Sequence, residues 1–150
     1  MPPIAPASPT PRIVLVYGVA GLIPFLAPPL ATLVVPGATD LVAGLAAAYG
    51  ALILSFLGGA RWGLEIAHAR PRPAVIGLAM LPTLGGLALL LLPPDLRPFQ
   101  LAGLALLLGL HFLWDLSARG LPRWYPRLRT PLTVGAVAGL IAEAALTAAG

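Results

Sequence analysis

Residues 74–92 read AVIGLAMLPTLGGLALLLL, nineteen residues without a charge, set between RPRP at 70–73 and PPD at 93–95. At 1.5 Å per residue a helix of that length covers roughly 28 Å, close to the ~30 Å hydrocarbon core of a bilayer. The stretch predicts a membrane-crossing helix, and the chain around it repeats the pattern. Four further apolar stretches lie at about 13–35, 41–60, 99–116 and 131–149. The reading is an all-α, polytopic membrane bundle of five transmembrane helices. It forms one domain over 13–150, behind a proline-rich tail, 1–12, expected to be disordered.

Composition supports the same conclusion. Hydrophobic residues make up 59% of the 150 and charged residues 9%, with a mean hydropathy of +0.94. Soluble domains carry about 25% charged residues to keep their surface wet, so lipid must solvate most of this one. Cysteine is absent, which excludes disulfides, thiolate metal centres and a cysteine nucleophile. All nine basic residues are arginine, so lysine Schiff-base chemistry is excluded as well. Prolines at 2, 3, 6, 9 and 11 forbid the amphipathic helix of a targeting presequence, and no cleavable signal is expected.

The arginines set an orientation. Arg12, the group Arg61, Arg70 and Arg72, and the group Arg119, Arg123, Arg127 and Arg129 fall on one side of the five spans, leaving only Arg97 on the other. Basic residues are retained in the cytoplasm during insertion. The N-terminus is therefore expected in the cytoplasm and the C-terminus outside, in the inner membrane of a bacterium. The charge is topogenic, and no nucleic-acid partner is expected.

Within the spans, Pro24, Pro28 and Pro29 predict a kink or break in the outer half of the first. Small residues four apart let lipid-bathed helices approach. Such a row runs through Ala47, Ala51, Ser55, Gly59 and Gly63 of span two, and another through Gly135 and Gly139 of span five. The pentapeptide VAGLI recurs at 19–23 and 137–141, which chance explains in so apolar a chain.

Polar residues collect at the cytoplasmic ends of spans two and four. Arg61, Glu65 and His68 share one face if the helix continues past residue 60, and His111 and Asp115 are four apart. Together they form either a site (a proton relay, an anion pocket, or a metal or haem held by His68 and His111) or a set of solvated helix-end anchors. Glu143 falls about 18 Å into span five, a costly depth for a carboxylate. It reads as a proton- or substrate-handling residue or as part of a frayed terminal helix. Arg119, Arg123, Trp124, Tyr125, Arg127 and Arg129 read as an interfacial segment against anionic lipid headgroups.

The stretch YGALILSFLGGARWG at 49–63 resembles the family known as domain of unknown function 3429. The likeness extends to YGVAGLIPF at 17–25, Leu81-Pro82, Asp115 and WYPRLRTPL at 124–132. It implies a small multi-span membrane protein and supplies no activity, cofactor or catalytic residue.

No nucleophile elbow, phosphate loop or ion filter is present. The sequence therefore leads to a non-enzymatic accessory or assembly partner that uses no cofactor and contacts membrane lipids and other membrane proteins. A small proton-linked carrier built on the polar residues is the alternative, and a lipid enzyme or haem protein ranks below it.

Overall fold

A computed structural model describes residues 9–35, 37–118 and 121–149. Most of the tail expected to be disordered, and Arg119 of the interfacial segment, lie outside the described residues. Among the described residues the chain forms six α-helices: α1 (Arg12–Ala20), α2 (Ile23–Val34), α3 (Thr39–Ile66), α4 (Pro73–Leu90), α5 (Arg97–Leu116) and α6 (Tyr125–Ala149). One 3-10 turn, Pro94–Leu96, leads into α5. With α1 and α2 taken as one broken span, five segments are long and apolar enough to cross a bilayer. The protein is a multi-pass membrane protein.

The break in the first span comes earlier than its prolines suggested. It falls at Gly21–Leu22, one turn ahead of Pro24. Pro24 lacks an N–H and occupies the second position of α2, where a helix start tolerates it. The Phe25 amide bonds Leu22 O, 3.0 Å away, instead of Gly21 O. The Tyr49 hydroxyl donates to the Gly21 carbonyl at 3.1 Å. Pro28 and Pro29 remain inside α2 and are buried. Gly37, with φ +76°, turns the chain from α2 into α3 at no steric cost.

Helix α3 is central and packs against α2, α4, α5 and α6. It buries mostly small residues, Ala43, Ala46, Ala47, Gly50 and Ala51, while large side chains such as Leu52 and Phe56 face lipid. Against α4 the approach is close. A Cβ on Gly58 would meet the Ala79 carbonyl at 2.5 Å, and one on Gly86 would meet Ala51 at 3.2 Å. Between these contacts the Thr83 hydroxyl donates to Ser55 Oγ at 3.2 Å.

The small-residue row of span two does not run its full expected length. Gly59 and Gly63 have nothing within 4 Å of a Cβ position. A four-residue step overshoots one helical turn by about 40°, so a row begun at Ala47 has rotated away from α4 by Gly59. Gly58 takes over the contact. On α6, Gly135 meets Leu22 and Gly139 meets the Phe25 backbone. That carbonyl lost its helical donor to Pro29, and only a glycine lets α6 approach it.

Gly58→Val is therefore expected to destabilise the protein by about 1–3 kcal/mol through overpacking. Gly59→Ala should be neutral or slightly stabilising. Thermal unfolding in detergent, followed by circular dichroism, distinguishes the two; equal losses would contradict the assigned α3–α4 contact.

Candidate functional site

The last turns of α3 and α5 and the first turns of α6 converge on Asp115, which is 4% exposed. Arg129 Nε donates to Asp115 Oδ2 at 3.2 Å, and the Tyr125 hydroxyl donates to the same oxygen at 3.3 Å. Arg61 Nε lies 3.9 Å from Asp115 Oδ1. Its guanidinium stacks 4.2 Å from the Trp114 ring centroid, a favourable site for a cation. His111 Nδ1 is 3.4 Å from Asp115 Oδ2, and its ring meets Trp114 edge-on at 5.5 Å. Two guanidiniums thus face one carboxylate in a largely desolvated place. Several donors remain unused: Arg61 Nε and Arg129 Nη2 are buried without a hydrogen-bond partner among the described residues, as are both His111 nitrogens.

Of the five residues grouped from sequence, Arg61, His111 and Asp115 come together, and Glu65 and His68 do not join them. Glu65 turns instead to Arg72, accepting from its backbone N at 2.8 Å, Nε at 2.9 Å and Nη2 at 2.8 Å. This clamp closes the α3–α4 connection. The side-chain hydrogen bond first, and the carboxylate's charge second, raise the pKa of Arg72 above its ordinary value. His68, just past the end of α3, is exposed and bonds carbonyls of that helix's last turn, Leu64 O at 3.0 Å and Glu65 O at 3.3 Å. Among the described residues no three His, Asp or Glu side chains are grouped as a metal site.

The arginine-rich segment also divides. Arg123 and Arg127 are exposed and Trp124 is half-buried, whereas Arg129 is 9% exposed and belongs to the Asp115 cluster. The physical reason is the start of α6. The sequence reading began span five at Pro131, but the helix begins at Tyr125, with Pro126 in a position that a helix start accepts. Tyr125 and Arg129 are then four apart on one inward face. Their spacing and Pro126 were the overlooked signal.

Glu143 is fully buried, and Thr32 Oγ1 of α2 donates to its Oε1 at 2.8 Å. Oε2 has no partner among the described residues. Glu143 lies fourteen residues beyond Arg129, about 21 Å along α6. Between the two levels the buried residues are almost all apolar: Ala136, Gly139 and Leu140 of α6, Leu101, Leu104, Ala105 and Leu108 of α5, and Gly50, Ala51 and Leu54 of α3.

This architecture, lipid-facing helices tied by small residues and a buried ion-pair cluster at one end, defines a polytopic helical membrane protein. Residues 10–145 match the family described as "Protein of unknown function (DUF3429)", and the chain belongs to that family. Transmembrane protein 69 of Xenopus tropicalis is 40% identical over 136 residues, covering 87% of this chain and 53% of the frog protein. Transmembrane protein 69 of Mus musculus is 42% identical over 71 residues, covering 47% of this chain and 29% of the mouse protein. The chain thus spans about half the length of the frog relative and less of the mouse one. No solved structure matches it.

Asp115→Asn removes the negative charge that faces two buried guanidiniums, and breaking such a pair costs about 3–5 kcal/mol. A large fall in Tm in detergent is expected, partly recovered when Arg129→Met is added. Arg123→Gln, at an exposed position, should change stability by less than about 0.5 kcal/mol.

Proposed function

We propose that the protein acts by binding rather than by turnover, as a non-enzymatic accessory or assembly partner of a larger complex in a bacterial inner membrane. Its N-terminus lies in the cytoplasm and its C-terminus outside. The observation that carries this reading is the apolar belt between the Asp115 cluster and Glu143. A carrier needs polar groups continuous across the bilayer, and here the two polar levels are separated by about four helical turns, whose buried residues are Ala, Gly and Leu apart from Thr133 near the Asp115 end. The Asp115 cluster and the Glu65–Arg72 clamp are ion pairs that fix helix ends. The arginine distribution supports the orientation, because the cluster stands on the side that holds eight of the nine. Arg123 and Arg127, exposed beside Trp124, are placed to meet anionic headgroups.

The second reading, a proton-linked carrier, is favoured by one observation. Glu143 is wholly buried, and its Oε2 has no hydrogen-bond partner among the described residues.

Two measurements decide between them. Gentle detergent extraction should recover a stoichiometric protein partner, and vesicles reconstituted with the purified protein should be no more proton-permeable than empty ones. A proton flux that Glu143→Gln abolishes would replace the binding reading with the carrier. A reporter fused after Gly150 should be active outside the cytoplasm; a cytosolic signal would overturn the orientation.

A further inference from the structure

The break between α1 and α2 has a consequence at the lipid-facing side of the bundle. Helix α1 buries none of its residues and rests on the first half of α6. Beneath it lies a half-open cavity of about 570 Å³, walled by α1, the start of α2, α3, α5 and α6. That volume falls within the roughly 300–1,000 Å³ of ordinary ligand pockets.

The cavity runs along α6. It begins at the level of Ile13 and Tyr125 and ends at Phe25 and Ala136. The eleven-residue rise along α6 makes it about 16 Å long, which matches one leaflet of a ~30 Å hydrocarbon core. Its walls are mostly apolar. Tyr17 of α1 and Tyr49 of α3 also line it, the Tyr49 hydroxyl already bonded to the Gly21 carbonyl, and the lining side chains with buried polar atoms left unpaired among the described residues come from one stretch of α6. Arg129 and Thr133 both line it, with 9% and 5% exposure. Arg129 Nη2 and Thr133 Oγ1 are each buried without a hydrogen-bond partner among the described residues. Unused buried donors are costly and point to an acceptor that completes them. Charge specifies that acceptor. Arg61 and Arg129 share one carboxylate, so a positive charge is left over where the cavity meets the cluster.

We propose that this cavity binds an anionic phospholipid. One acyl chain lies under α1, its phosphate accepts from Arg129, and the ester carbonyl one helical turn deeper accepts from the Thr133 hydroxyl. The chain enters sideways from the leaflet, because α1 covers the cavity without closing it. Arg129 thus serves two acceptors, Asp115 through Nε and the phosphate through Nη2. This site goes beyond the partner-binding reading and stands whether or not a protein partner is recovered.

The test uses full-length protein purified in detergent and washed free of native lipid. Phosphatidylglycerol and phosphatidylcholine are then added separately, and retention after gel filtration is read by native mass spectrometry alongside the thermal midpoint. One phosphatidylglycerol per protein should be retained with a rise in Tm, and phosphatidylcholine should do neither. Arg129→Gln also disturbs the ion-pair cluster, so two milder variants carry the test. Thr133→Val keeps the shape and removes the donor, and Val14→Trp fills the cavity from the loosely packed α1. Each should keep the lipid-free Tm of the native chain and weaken phosphatidylglycerol retention about tenfold or more, the loss expected for a hydrogen bond or a blocked chain. Equal retention of the two lipids, or native retention by both variants, would overturn the proposal.

Discussion

Asp115 is where three helices are forced to meet. Arg61 arrives from α3 and Arg129 from α6, and Asp115 itself ends α5. A guanidinium at the edge of hydrocarbon must reach either water or an anion, and these two are too deep in the bundle to reach water freely. One carboxylate satisfies part of both. That end of the bundle is fixed by the shortage, and the nitrogens of Arg61 and Arg129 left without a partner among the described residues follow from it.

Elsewhere the bundle holds by different means. Lipid is as apolar as leucine, so burying leucine against leucine gains little, and helix pairs depend on approach distance. The α3–α4 contact has no charged residue at its centre; it has Gly58 under the Ala79 carbonyl and a single hydroxyl pair, Thr83 with Ser55. At the opposite end Gln100 is 1% exposed and donates to the Leu92 carbonyl at 2.6 Å while accepting from Arg97. This stitches the turn between α4 and α5. Charge holds one end of the protein and shape holds the middle.

How much of this was legible follows from the range of each interaction. The five spans were readable because hydropathy is a property of a continuous window, and Arg61, His111 and Asp115 were readable because their helix ends share a level. Glu65 escaped because a partner seven residues away, Arg72, lies beyond the end of its helix, where periodicity says nothing. Arg129 reads as a headgroup residue in the sequence because Pro131 looks like the helix start, whereas α6 begins six residues earlier, at Tyr125. Gly59 and Gly63 were assigned to a packed face by a spacing of four, which the true pitch of 3.6 rotates away over several turns. The cavity under α1 had no signature in sequence at all; it arises from where one span breaks.

The two interior prolines of α2 leave carbonyls that the helix cannot satisfy by itself, and Gly139 and Glu143 of α6 lie against that stretch. Those partners come from α6, which is translated after α1 to α5. During synthesis the α1–α2 span thus enters the bilayer incomplete and stays so until α6 arrives beside it. The order of the ribosome's output and the order of assembly are opposed. A chain interrupted before α6 would leave bare peptide oxygens facing hydrocarbon, a cost that the finished bundle removes.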